Sequence, residues 1–324
     1  MKLRKTLSAL TATSLIALIA LFTPSTASAQ TAGTLGVFRG SGVPDQVAAY
    51  EKWLGKPVSY QIDFLPRAAA NATNPWAKVD NPGWWCSQWT KDKSAQLVLS
   101  ATMLPNTNFT LAAGAKGSYN SHWQKFGSTM VSRGCANAII RLGWEFNGKF
   151  YPWAAGGKEA SFVSYWRQIV DTLRKVPGQA FRFDWNPLAG VNNANLEAAY
   201  PGDNYVDIIG LDAYDTSSVS PSNPSGRWAN MLDQKYGLNW HANFARSHAK
   251  PMSFPEWGAN VRPKDNLGGG DNPYYITKMW EWMQSHNFAY SAYFEVDAND
   301  GKHRLMNDQF PKASAEYRRL VNAG

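Results

Sequence analysis

Two glutamates are set apart by their surroundings. Glu145 lies in Arg141-Leu-Gly-Trp-Glu145-Phe-Asn-Gly148 and Glu256 in Ser253-Phe-Pro-Glu256-Trp-Gly258, each at or just past an apolar run and each among aromatics. Two carboxyls presented in this way suit the cleavage of a glycosidic bond, where one protonates the leaving oxygen and the other attacks or stabilises the anomeric carbon. Arg141, on the same run as Glu145, is placed to make a charge-assisted hydrogen bond to a carboxylate, and the Tyr214 hydroxyl, past the sixth run, is expected as a second donor for Glu256. Glu145, between Trp144 and Phe146, is expected to be poorly solvated, which favours the protonated form and acid work. The residues alone leave the opposite assignment open. Asp184, Asp212 and Glu295 also end apolar runs and are rival acids or sugar ligands, whereas Asp207 lies inside a run and reads as structural.

These residues need a scaffold that brings run ends together. Eight short apolar, β-branched or aromatic runs (35–38, 58–64, 96–100, 138–141, 181–184, 206–210, 252–254 and 290–294) alternate with helical patterns over 44–55, 118–133, 160–175, 227–249 and 273–286. A closing helix follows at 312–322. Alternation of this kind predicts an α/β fold, a single (β/α)8 TIM barrel whose functional groups gather at the C-terminal ends of its strands. Glu145 then ends the fourth strand and Glu256 the seventh. The stretches 65–95 and 187–205, rich in Asn, Pro, Gly and Trp, read as loops on the same face. Gly268-Gly-Gly270 has neither a preceding strand nor a following Lys-Ser/Thr, so it is read as a flexible loop rather than a phosphate cradle.

Residues 1–29 combine Lys2, Arg4 and Lys5 with an apolar core over 15–22 and an Ala27-Ser-Ala29 end, the form of a cleaved signal peptide. Export to the extracellular space or periplasm is expected, leaving one barrel domain over 30–324 with no membrane contact. The segment carries three positive charges and no acid, so its loss takes the net charge from +8 to +5. The remaining positive charges are scattered, which argues against nucleic acid as a partner. The two cysteines, Cys86 and Cys135, precede neighbouring strands and are expected to form a disulfide in an exported protein. The five histidines stand alone, so neither a metal nor a cofactor is expected. No Gly-x-Ser-x-Gly elbow is present. Fifteen tryptophans invite sugar stacking: Trp84, Trp85, Trp89, Trp144, Trp153, Trp185 and Trp257 fall in loops or strand ends, whereas Trp166, Trp280 and Trp282 fall in helices.

The two glutamate segments, with Lys149-Phe-Tyr151-Pro-Trp153, Trp185-Asn-Pro187 and Tyr200-Pro-Gly-Asp203-Asn-Tyr-Val-Asp207-Ile-Ile-Gly210-Leu-Asp212-Ala-Tyr214, resemble the retaining four-seven barrels of glycoside hydrolases, most closely family 26. That resemblance implies Glu145 as acid/base, Glu256 as nucleophile, and endo-cleavage of a β-mannan, β-xylan or β-glucan with retention. It also implies supporting or sugar-binding roles for Arg141, Trp144, Asn147, Trp153, Trp185, Asp212, Tyr214, Trp257 and Glu295. One residue departs from the pattern: the family's mannanases usually carry His before the acid/base, and here Trp144 stands there. An indole donates but neither accepts nor titrates, which bears on mannan specificity more than on the chemistry. The expected partner is a polysaccharide and the expected state a monomer. A bacterial exopolysaccharide as substrate, a non-catalytic glycan-binding barrel and a metal-dependent barrel hydrolase are the alternatives.

Overall fold

The computed structural model describes residues 34–90 and 95–323; the leader read over 1–29 lies outside them. In chain order the elements are β1 (Leu35–Phe38), α1 (Pro44–Leu54), β2 (Tyr60–Phe64), α2 (Ala77–Asp80), α3 (Gly83–Trp89), β3 (Gln96–Ala101), α4 (Leu111–Ala115), α5 (Asn120–Ser132), β4 (Ile139–Leu142), α6 (Glu159–Arg174), β5 (Arg182–Trp185), β6 (Ile208–Gly210), β7 (Ala213–Tyr214), α7 (Pro224–Asp233), α8 (Leu238–Ser247), β8 (Met252–Gly258), α9 (Pro273–Ser285), β9 (Phe288–Phe294) and α10 (Pro311–Ala323). All strand pairings are parallel. The order β6-β5-β4-β3-β2-β1-β9-β8 closes through a β6–β8 pairing into the expected barrel.

Nine strands make eight staves, because β6 and β7 are two pieces of one. Gly210 pairs with Ser253 low on β8, and Ala213 pairs with Trp257 high on it. Between them Asp212 turns aside to bridge with Leu188, its N–H donating to the Pro187 carbonyl at 2.9 Å. The break points one acid into the barrel mouth.

Side-chain alternation along the strands builds the lumen in layers. Ile62, Val98, Ile139, Ile208, Tyr290 and Ala292 form an apolar plug, while their neighbours Leu97, Leu99, Ile140 and Phe183 face the helices. Two residues further along β3 and β4, the inward positions are Ser100 and Arg141, and Asp184 joins them from β5. Polarity therefore rises towards the C-terminal face.

Three expectations change, the first being that the stretch 65–95 read as a loop carries α2 and α3. The pattern read as one helix over 227–249 is α7 and α8, because the chain turns at 234–237. There Tyr236 has φ +58°, and a Cβ on Gly237 would lie 2.5 Å from the Met231 carbonyl oxygen. The Gly268-Gly-Gly270 stretch is tied into the sheet rather than loose: Gly269 and Gly270 donate to the Asp215 and Asn260 carbonyls, both at 3.0 Å. Cys86 at the middle of α3 bonds to Cys135 before β4, as expected. Asp207 accepts from the Phe183 N–H at 2.8 Å and is structural.

Candidate active site

At the end of β4 the chain makes two left-handed steps. Gly143 has φ +55°, and a Cβ there would sit 2.4 Å from the Met103 sulfur, so no larger residue fits. Glu145 follows with φ +51°, a conformation that costs a non-glycine residue on the order of 1 kcal/mol or more. Its N–H donates to the Asn186 carbonyl at 2.8 Å and its carbonyl accepts from the Gly148 N–H at 2.9 Å, which holds the turn in place. Backbone strain is thus concentrated at the residue whose carboxyl is turned into the mouth.

Glu256 is delivered differently. Pro255 has no N–H for the ladder, and the β8–β9 register shifts there: Phe254 pairs with Ser291, yet Trp257, three residues on, pairs with Tyr293, only two on. The bulge adds one residue and reverses the alternation. Ser253 points into the lumen, where its hydroxyl donates to Asp184 at 2.6 Å, and Glu256 rather than residue 255 is the next to face inward. Trp257 is consequently turned outward against Tyr275, Tyr293 and Tyr317.

Glu145, Asp212 and Glu256 come together with carboxylate oxygens within 4.8 Å of one another. Arg141, wholly buried, binds the cluster from below. Its guanidinium contacts Asp212, pairs with Glu256 at 2.6 Å, and donates to Ser100 Oγ at 3.0 Å and to the Asn186 side-chain oxygen. Burial works against its charge, but Asp212 and Glu256 more than offset this and raise its pKa further above the usual value. Asn186 also donates to Asp212 at 3.2 Å. The Tyr214 hydroxyl donates to Glu256 Oε2 at 2.7 Å, and burial and the Glu256 charge keep that phenol protonated.

The two glutamates therefore sit in unlike environments. Glu256 receives the guanidinium and the phenol. Glu145 is half-buried at the cleft, and loss of solvation first and the Glu256 charge second push its pKa up to about 8, against the opposing pull of Arg141. Asp212 is also raised, by burial above all and by both glutamates. Lower in the lumen, burial brings Asp184 up to about 6 while Ser253 and Tyr290 donate to it.

The cluster opens into a cleft of about 540 Å³ walled by Phe38, Phe64, Trp144, Phe150, Tyr151, Leu188, Tyr214, Phe294, Arg262, Ala298 and Asp300. Trp144 Nε1 donates to the Tyr151 hydroxyl at 2.9 Å, so this indole has its only polar side-chain atom engaged. The Tyr151 ring stacks on Trp153 at 4.5 Å, and Phe150 is 54% exposed beside it. His303, its Nε2 3.8 Å from the carboxylate, is the first cause holding Asp300 below the ordinary carboxylate range, with the Arg262 charge among the lesser ones.

Several predicted sugar contacts prove to be packing residues. Trp153, Trp185 and Trp257 are at most 1% exposed and offer no face to a ligand. They brace the site instead: Trp153 donates to the Trp144 carbonyl at 2.8 Å, and Trp185 packs against Phe146. Trp85 and Trp89 are buried too. Glu295 is fully buried outside the cleft wall, where its carboxylate accepts the Leu305 and Met306 N–H groups at 2.8 and 2.9 Å and fixes the chain after β9. Asn147 is buried and clamps the chain after β5 by two donations, to the Leu188 and Val191 carbonyls, and by accepting the Leu188 N–H. Sequence reasoning passed over Phe38, Phe64, Phe294, Phe150 and Tyr151 as cleft walls. The first three are the last residues of β1, β2 and β9, so the strand-end rule applied to the acids would have found them.

A closed parallel barrel with paired glutamates at the ends of its fourth and seventh staves is the architecture of a glycoside-hydrolase-type barrel. The sequence profile of glycosyl hydrolase family 26 matches residues 134–238. The chain is 25% identical over 249 residues to a mannan endo-1,4-beta-mannosidase of Bifidobacterium adolescentis, covering 73% of this chain and 24% of that protein. It is 26% identical over 188 residues to endoglucanase H of Acetivibrio thermocellus, covering 56% and 19%. It thus spans about a quarter or less of the length of these relatives. In fold it is similar to a modular endo-beta-1,4-mannanase of Cellulomonas fimi (TM-score 0.61, 16% identity, 90% of this chain and 70% of that one) and to a family 26 beta-mannanase of Bacteroides ovatus (TM-score 0.58, 13% identity, 90% and 88%). The profile match agrees with the resemblance to family 26 that the motifs carry.

Proposed function

We propose that the protein is an exported endo-β-glycanase that hydrolyses internal bonds of a polysaccharide with retention of configuration. The observation that carries this reading is the Glu145–Glu256 pair, with carboxylate oxygens within 4.8 Å and with Arg141 and Tyr214 bonded to Glu256. Retaining enzymes hold their carboxyls about 5–5.5 Å apart, and inverting ones leave about 6.5–9.5 Å for a water. In the first step the Glu145 proton passes to the glycosidic oxygen as the C1–O bond breaks, and a Glu256 oxygen attacks C1 to form a glycosyl ester. In the second step water attacks C1, its proton returns to the Glu145 carboxylate, and Glu256 leaves as a carboxylate. Arg141 and Tyr214 hold the Glu256 carboxylate in place by charge-assisted hydrogen bonds. The high pKa of Glu145 keeps it protonated at neutral pH until the first step uses that proton.

An aromatic-walled cleft favours sugar rings, and polar readout at its rim falls to Tyr151, Arg262 and Asp300. β-Mannan, β-xylan and β-glucan remain the substrate classes, with an acidic exopolysaccharide the alternative that the basic composition tolerates. Action requires no cofactor in this scheme, and a monomer contains every group it uses. The Cys86–Cys135 disulfide supports export, since such bonds persist in oxidising compartments. The test is reducing-end release from mannan, galactomannan, xylan, mixed-linkage glucan and an acidic exopolysaccharide by the wild type, Glu145→Ala and Glu256→Ala. Activity on one polymer that both substitutions abolish supports the pair. Activity that survives both sinks it.

A further inference from the structure

Among the described residues, Phe150 and Trp84 are the exposed large hydrophobic side chains. Phe150 belongs to the cleft. Trp84, 50% exposed at the start of α3, does not, and nothing in the scheme above uses it.

Its placement is built rather than incidental. The ring rests on Gly42, where a Cβ would lie 2.1 Å from the ring's Cη2, so the loop after β1 is shaped to receive it. That loop is pinned by buried Asp63, which accepts the Gly42 N–H and Trp89 Nε1 at 2.9 and 2.8 Å and the Ser41 hydroxyl. Trp85 meets Trp84 edge to face at 5.1 Å and donates its own Nε1 to Ser41 at 3.1 Å. Two residues on, Cys86 anchors α3 through its disulfide. The outer part of the Trp84 ring borders a depression of about 600 Å³ also lined by Ser41, Lys78, Asn81 and Trp85. The Lys78 amine reaches over the Trp85 ring at 5.6 Å.

We infer that this shelf is a second glycan-binding site, in which a pyranose ring of the polysaccharide stacks on Trp84 and its hydroxyls meet Lys78 and Asn81. A fixed aromatic face bordered by amine, amide and hydroxyl groups has the chemistry of a sugar platform: an apolar face with a wet polar edge. A single ring in a polar setting is far below the roughly 800 Å² per partner that a stable protein interface buries, so a protein occupant fits poorly. Position points the same way. Phe38 walls the cleft and Ser41 the shelf, and three residues of chain span at most about 11 Å. A glycan running out of the cleft past β1 can reach Trp84, which would hold polymer against the enzyme without touching the reacting bond.

The inference rests on the glycanase reading, and the experiment separates the two. Wild type, Trp84→Ala, Trp84→Phe and Lys78→Ala are compared by affinity electrophoresis in gels containing galactomannan, xylan or mixed-linkage glucan, and by hydrolysis of the same polymers and of the matching tetrasaccharide. Thermal unfolding of each variant checks folding. The expected result for Trp84→Ala is at least about fivefold weaker retardation and an equal rise in KM on polymer. Its kcat and its tetrasaccharide turnover stay unchanged, and Trp84→Phe keeps most of the binding. Equal retardation of wild type and Trp84→Ala overturns the shelf and leaves the glycanase reading intact. Retardation that needs Trp84 in a protein that cleaves nothing supports the shelf and overturns the catalytic reading. Absence of retardation by the wild type in every gel overturns the shelf.

Discussion

Replacing Glu256 by glutamine removes one charge beside Glu145 with almost no change in volume. With carboxylate oxygens within 4.8 Å, two unit charges at an effective dielectric of about 20 repel by roughly 3.5 kcal/mol, equivalent to about 2.5 pKa units. Arg141 lies beside Glu256 and screens part of this, so the Glu145 pKa in Glu256→Gln should fall by about 1.5–2.5 units from its wild-type position near 8. It should not reach the ordinary carboxyl value, because burial, the larger cause, is untouched. The assay is a pH titration of the side-chain carboxyl signals in protein labelled with 13C-glutamate, assigned by loss of one signal in Glu145→Gln. In the wild type, kcat/KM on the active polymer should correspondingly decline as pH rises through about 8, as Glu145 loses its proton. A Glu145 titration that moves by less than about half a unit would refute the reasoning, since the two carboxyls would then not share one electrostatic site.

Three further outcomes follow from named contacts. Tyr214→Phe deletes the 2.7 Å donor to Glu256 and keeps the ring; a hydrogen bond to a charged group is worth about 1.5–3 kcal/mol, so kcat/KM should drop roughly 10- to 100-fold with little change in melting temperature. Because the Glu145 pKa is raised in the fold, the folded state binds more protons than the unfolded chain between the usual carboxyl value and about 8, and stability falls as pH rises through that window. Glu145→Gln should therefore melt higher than wild type at pH 8, by on the order of 1–2 kcal/mol or a few degrees, with the gain shrinking towards pH 5 in parallel calorimetry. Replacing both Cys86 and Cys135 by serine opens a link across a sequence separation of 49 residues and should cost about 2–4 kcal/mol in denaturant unfolding while leaving kcat on the active polymer near its original value.

Much of this architecture is written in local sequence. The apolar runs located all eight staves, and β1 was bounded residue for residue, since alternation and Gly-rich punctuation act over a few residues. The site glutamates were legible for the same reason: each closes a run. What local pattern does not carry is which way a side chain turns once its strand is paired. Trp153, Trp185 and Trp257 have the right type and position for sugar platforms, but the left-handed steps after β4 and the bulge at Pro255 rotate the neighbouring glutamates inward and two of these tryptophans into the packing around them. Glu295 looked like another run-ending acid, and its fate depended on backbone N–H groups ten and eleven residues further on. The break between β6 and β7 that lifts Asp212 into the mouth was equally hidden, because it arises from a bridge to Leu188 on the chain after β5. Trp84 shows the reverse case, a loop tryptophan whose exposure comes from a seat on Gly42 more than forty positions earlier in the chain.

The account's central claim is that Glu256 attacks the anomeric carbon while Glu145 supplies the proton, and the stereochemistry of the first-formed product tests it most directly. Proton NMR of the anomeric signals, recorded in the first minutes of hydrolysis of whichever β-linked oligosaccharide the enzyme cleaves, should show the β-anomer appearing first and the α-anomer growing later by mutarotation. Initial appearance of the α-anomer would mean inversion, and the nucleophile role of Glu256 would fall with it.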